Sequence, residues 1–136
     1  MIDFHSELDF KLENQEDISN WISRVIDDFD KEEGELQYVF RDDEYLHKLN
    51  VEFLDHDTLT DIISFDYTMG ELISGDIFIS VERVKENAEE LGVDFLEELH
   101  RVIIHGVLHY IGFKDKTEEE KKIMREKEDY CLSLRA

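Results

Sequence analysis

The sequence predicts an α+β domain: a central mixed four-stranded sheet with about five helices, one of them buried and central. Three observations carry this. Strand-like alternation and helix-like spacing interleave along the chain. From Val102 to Phe113 the two histidines are the only strongly polar side chains, and a helix apolar nearly all round belongs inside. No proline, repeat or low-complexity stretch interrupts the 136 residues, so residues 1–136 read as one continuous domain, long enough to bury a core.

The elements follow in order. Residues 2–12 mix apolar and polar positions and suit a short first strand. From Gln15 to about Lys31, Ile18, Trp21, Ile22, Val25, Ile26 and Phe29 recur at helical spacing, with Asn14 as N-cap and Gly34 closing the segment. Leu36, Tyr38 and Phe40 alternate with Gln37, Val39 and Arg41 as a strand. Asp42, Asp43 and Glu44 open a second helix, favoured there by the helix dipole, with Tyr45, Leu46 and Leu49 facing inward and Asn50 ending it. After a loop over residues 51–60, Ile62, Ile63 and Phe65 form a third strand. Tyr67 to Ser74 reads as a connection, and Gly75 to Ser80 as a fourth strand. A third helix runs from about Val81 to Leu91 and stops at Gly92. Asp94 caps the long central helix, whose apolar face includes Phe95, Leu96, Leu99, Val102, Ile103, Gly106, Val107 and Tyr110. Thr117 to Glu120 is a capping box opening a fifth helix, with Ile123, Tyr130, Cys131 and Leu134 inward.

Composition bounds the partners. The net charge is −21, from 36 acidic and 15 basic residues. Such a surface repels nucleic acid and membranes, so a polyanionic ligand must be met by a local basic patch or a metal. The single cysteine, Cys131, excludes an internal disulfide. The N-terminus lacks a basic region and an apolar run, and no stretch approaches the ~20 apolar residues of a membrane span. The expected location is cytoplasmic.

The chemistry lies in His105-Gly106-Val107-Leu108-His109-Tyr110-Ile111-Gly112-Phe113-Lys114-Asp115. Imidazoles four apart on a helix share one face, with Cβ atoms roughly 5–6 Å apart. Gly112 stops the helix, and Asp115 lies within reach of a return to the same point. His105, His109 and Asp115 are therefore the expected ligands of one metal ion with an open position. The competing reading is a pair of core histidines satisfied by backbone alone. Burying two unpaired imidazoles costs on the order of 1–3 kcal/mol each, and a metal removes that cost. Zinc is the expected ion, although two histidines and a carboxylate also suit Fe(II). A zinc protease needs a glutamate directly after the first histidine, and this chain has Gly106.

At these residues the chain resembles the YbeY-type endoribonucleases, the bacterial rRNA maturation factors. Their motif His-Gly-x-Leu-His-x-x-Gly is matched at His105, Gly106, Leu108, His109 and Gly112. A second stretch, Leu-Asn followed by Thr-Asp-Val-Leu-Ser-Phe, appears as Leu49-Asn50 and Thr60-Asp61-Ile62-Ile63-Ser64-Phe65. A third, Gly-Asp-Ile-x-Ile-Ser, is Gly75 to Ser80. Four positions depart from the family: Asp115 stands for its third histidine, Lys114 for the preceding aspartate, Leu54 for an arginine and Leu59 for a proline. The resemblance implies a zinc-bound fold and a single-strand-specific endoribonuclease acting in rRNA processing and ribosome quality control. It implies rRNA or a ribosomal subunit as partner, with ribosomal proteins or an assembly GTPase helping placement.

In that reading His105, His109 and Asp115 act through a metal-bound water, and the nucleophile is either that water or the RNA 2′-hydroxyl. Asp61, before the third strand, is a candidate group behind the ligands; Ser64, Asp76, His56 and Asp57 are weaker ones. Lys114 and Lys116 bracket Asp115 and are candidate phosphate contacts. Two other functions compete: a metallohydrolase of another substrate, and a non-enzymatic ribosome assembly factor with a structural metal.

Overall fold

The computed structural model describes residues 1–54 and 58–135, so His56 and Asp57 lie outside the described residues. The chain runs β1 (Ile2–Ser6), α1 (Gln15–Asp28), β2 (Glu32–Arg41), α2 (Asp43–Leu54), β3 (Ile62–Asp66), β4 (Leu72–Ser80), α3 (Val81–Leu91), α4 (Phe95–Ile111) and α5 (Glu118–Ser133). The sheet order is β1-β2-β4-β3. β1 and β4 lie parallel to β2, while β3 returns antiparallel on β4. The α+β class and the mixed four-stranded sheet are as the sequence implies.

Strand periodicity sorts the two faces. Leu36, Tyr38 and Phe40 of β2 share a face with Ile73, Ile77 and Ile79 of β4, and all are buried. This face receives α4: the Tyr38 hydroxyl donates to the Ile103 carbonyl at 2.9 Å. Tyr110 donates to the carbonyls of Phe65 and Asp76, at 3.0 and 3.2 Å. A side chain at Gly75 would collide with the Tyr110 ring, so only glycine lets that tyrosine lie across β4. A Cβ at Gly106 would meet Ile77 Cδ1 at 3.0 Å, so glycine also sets the depth of α4 over the sheet. On the opposite face α2 packs through Tyr45 on Phe78 and Phe53 on Phe65, with ring centroids at 6.0 and 6.1 Å.

Several boundaries differ from the sequence reading. Asn14 adopts a left-handed backbone (φ 58°) and makes no side-chain cap, and α1 stops at Asp28. Asp30, also left-handed, turns the chain there, so Gly34 falls inside β2. α2 continues past Asn50, whose buried amide donates instead to the Thr58 carbonyl at 2.9 Å. β4 begins at Leu72 rather than Gly75, because it continues to pair with β2 through Glu33 and Ile73. Asp94 has the extended backbone of an N-cap but no side-chain bond, and Leu96 is exposed. The Thr117–Glu120 capping box is present in full. The buried face of α5 is Met124, Glu128, Cys131 and Leu132, whereas Ile123 and Tyr130 are exposed. A charged residue at its centre disguised that face.

Candidate metal centre

Glu98, Arg101, Val102, His105 and His109 line one side of a cleft of about 390 Å³. Their spacing of 3, 4 and 4 between the polar members makes a single polar stripe on α4, whose other sides are buried from Val102 to Tyr110. Thr60, Asp61, Ile62 and Ser64 at the start of β3 form the opposite wall, and Asp115, Arg125 and Glu128 close the end.

The α4–α5 turn brings Asp115 to the histidines. Gly112 (φ 125°) donates its N–H to Leu108 and His109, both at 3.1 Å, and Phe113 donates to Leu108 at 3.0 Å. The Phe113 ring packs edge-on against Phe29 at 5.7 Å, and the Thr117 capping box fixes the far end of the turn. Asp115 Oδ2 then lies 3.1 Å from His105 Nε2 and 3.3 Å from His109 Nε2. The two imidazoles meet edge to face at 4.6 Å.

This donor set fits a metal. His105, His109 and Asp115 each offer one ligand atom, and all three atoms lie within 4.8 Å of one another. Ligand atoms about 2.0–2.2 Å from a tetrahedral ion lie about 3.3–3.6 Å apart, and the two Asp115 distances fall at or just below the short end of that range. No other group of this kind occurs among the described residues. A larger hollow of about 580 Å³, lined by Trp21, His100 and Arg135 among others, holds no such set.

Electrostatics are dominated by acids. Burial pulls the His105 pKa down, but the Glu128 hydrogen bond and charge, then Asp115 and Asp61, outweigh it and leave the imidazole raised. Burial lifts the Asp61 carboxyl above its ordinary range, against the opposing pull of His105. Glu98 is raised by burial and then by Asp61. Asp61 is held from both sides: Asn87 Nδ2 donates to its carboxylate at 3.4 Å, and its carbonyl accepts from Ser80 at 2.9 Å.

Of the residues singled out from sequence, His105, His109, Asp115, Asp61 and Ser64 come together in the cleft. Asp76 does not line it, and offers its carbonyl to Tyr110 instead. Lys114 and Lys116 are exposed on the turn and do not line it either. The sequence reading missed Glu98, Arg101, Arg125 and Glu128. The first two were visible as the polar stripe on α4. The others reach the cleft only because α5 folds back over it.

The family model described as endoribonuclease YbeY matches residues 3–135. The Endoribonuclease YbeY of Flavobacterium johnsoniae is 59% identical over 134 residues, covering 98% of this chain and 96% of that protein. That of Christiangramia forsetii is 54% identical over 133 residues, covering 98% and 93%. A Thermotoga maritima protein solved in solution superposes with a TM-score of 0.70 at 24% identity, covering 98% of this chain and 88% of that one, and this likeness speaks for the fold.

Proposed function

The chain belongs to the YbeY endoribonuclease family, and from that premise we propose that it cuts single-stranded rRNA segments during ribosome maturation, with zinc held by His105, His109 and Asp115. The activity is that of an endoribonuclease. The observation that carries the metal reading is the convergence of three ligand atoms at the end of one cleft. Bound there, zinc would supply Lewis-acid polarisation of a phosphoryl oxygen and would acidify water.

The chain's own residues do the rest. His105, His109 and Asp115 would hold the ion through two neutral imidazoles and one carboxylate, and would leave it able to take a further ligand. Asp61, half-buried in the opposite wall with its carboxyl held above its ordinary range, is the group we assign to proton exchange with the attacking oxygen. Arg125 lines the cleft and makes no ion pair or side-chain hydrogen bond among the described residues, so its guanidinium is the group we assign to a backbone phosphate. We assign it the part of the family arginine replaced by Leu54, which is exposed and lies outside the cleft. Lys114 and Lys116, exposed on the turn beside Asp115, are the groups we assign to phosphates farther along the strand. With a net charge of −21, affinity for bare RNA is weak, and ribosomal partners supply the placement.

The test is metal content and RNA cleavage measured on the same preparation. The protein is expected to carry one zinc and to cut single-stranded rRNA, and His109→Ala to lose both. Arg125→Gln is expected to keep the metal, cut more slowly, and reduce the salt slope of RNA binding by about one. Equal cleavage by the parent and His109→Ala would sink the proposal.

A further inference from the structure

Glu128 is nearly fully buried, and both of its carboxylate oxygens are used. Oε1 accepts from Arg101 at 2.9 Å, and Oε2 lies 2.6 Å from His105 Nδ1. Arg101 is held in turn by Asp129 at 2.7 Å. A carboxylate only accepts, so in this contact Nδ1 must be the donor. In the neutral ring the single proton is then on Nδ1, and Nε2, 3.1 Å from Asp115, is left with the lone pair that an ion would take. His109 differs: its recorded partner is Asp115 through Nε2, and among the described residues no hydrogen bond to its Nδ1 is recorded.

We propose that Glu128 is the positioning residue of the metal centre: it holds His105 as the Nδ1–H tautomer, with Nε2 aimed at the point shared with His109 and Asp115. This rests on the metal reading above. His105 is thereby the preset ligand, and His109 adjusts its tautomer when the ion arrives. Arg101 is part of the device, because its guanidinium keeps Oε1 in place and demands an acceptor there.

The arrangement makes Glu128→Gln a directional probe. Arg101 can be satisfied only by the amide oxygen. The amide nitrogen then faces His105, and Nδ1 must accept from it. The proton moves to Nε2, where it blocks the ligand position. In metal-free protein at alkaline pH, nitrogen-resolved NMR should find His105 as Nδ1–H in the parent and as Nε2–H in Glu128→Gln, with His109 unchanged. Zinc affinity, measured by chelator competition, should fall ten- to a hundredfold. The metal-free melting temperature should stay close to the parent's. Glu128→Asp, which keeps the charge but shortens the reach, should also lose affinity, and it serves if Glu128→Gln does not fold. An unchanged His105 tautomer together with unchanged affinity overturns the proposal. If the parent itself binds no zinc, the metal reading fails instead, and the tautomer comparison still decides the role of Glu128.

Discussion

A Cβ at position 106 would press on Ile77 Cδ1 at 3.0 Å and Ile62 Cδ1 at 3.3 Å. The side chain after His105 therefore points into the sheet. A carboxylate there would be buried among isoleucines, so this position cannot host the base that zinc proteolysis requires. The same contact yields a stability prediction. Alanine needs only a small shift of two flexible isoleucine ends, whereas valine overpacks the helix–sheet seam. Gly106→Val should cost about 1–3 kcal/mol in chemical denaturation of the metal-free protein. A variant as stable as the parent would show that α4 can lift from the sheet at no cost, contrary to the burial of its neighbours.

At the scale of elements, α5 is the piece on which the site depends without supplying a ligand. It carries Glu128 and Arg125, and its first turn is fixed by the Thr117–Glu120 box. Thr117→Ala removes the hydroxyl that accepts from the Glu120 N–H at 3.1 Å. The loss should be about 1 kcal/mol in thermal or chemical melts. Zinc affinity should fall with it, because Asp115 sits on the turn that the cap anchors. If stability falls and affinity does not, the turn is held by Phe113 alone. The elements themselves were largely legible in the sequence. α3, α4, the capping box and the four strands follow from spacing, glycines and caps, and so does the trio His105, His109 and Asp115. The inward face of α5 was not legible. A hydrophobic pattern chooses Ile123 and Tyr130, whereas the structure buries Glu128, whose partners Arg101 and His105 lie 27 and 23 residues away. Burial of a charge is decided by its partner, and periodicity carries no information about partners. Asn14 and Gly34 failed for a related reason: left-handed backbone at Asn14 and Asp30 does the turning that a cap and a glycine were expected to do.

For the whole molecule, pH and metal act in opposite directions. His105 has a raised pKa in the folded protein, so its contribution is present below its unfolded value of about 6.5 and is lost as pH rises through the folded one. Asp61 and Glu98 are raised carboxyls, so their burial is free in acid and its cost grows as pH rises from their unfolded values to their folded ones. The growing net negative charge works in the same direction. The metal-free protein should therefore melt at a lower temperature at pH ~8 than at pH ~5.5. Zinc requires unprotonated imidazole, so its stabilisation grows with pH and should flatten or reverse that slope. Calorimetry with and without chelator checks this, and parallel slopes in the two series would contradict it.

The fully buried Cys131, on the inner face of α5, has a thiol pushed up to about 12, chiefly by burial. At neutral pH almost none of it is thiolate, and no reagent reaches it while α5 stays docked. The lone thiol is thus a built-in clock. Its alkylation rate counts how often the helix that backs the metal site swings open, and every condition that steadies the site should slow that count.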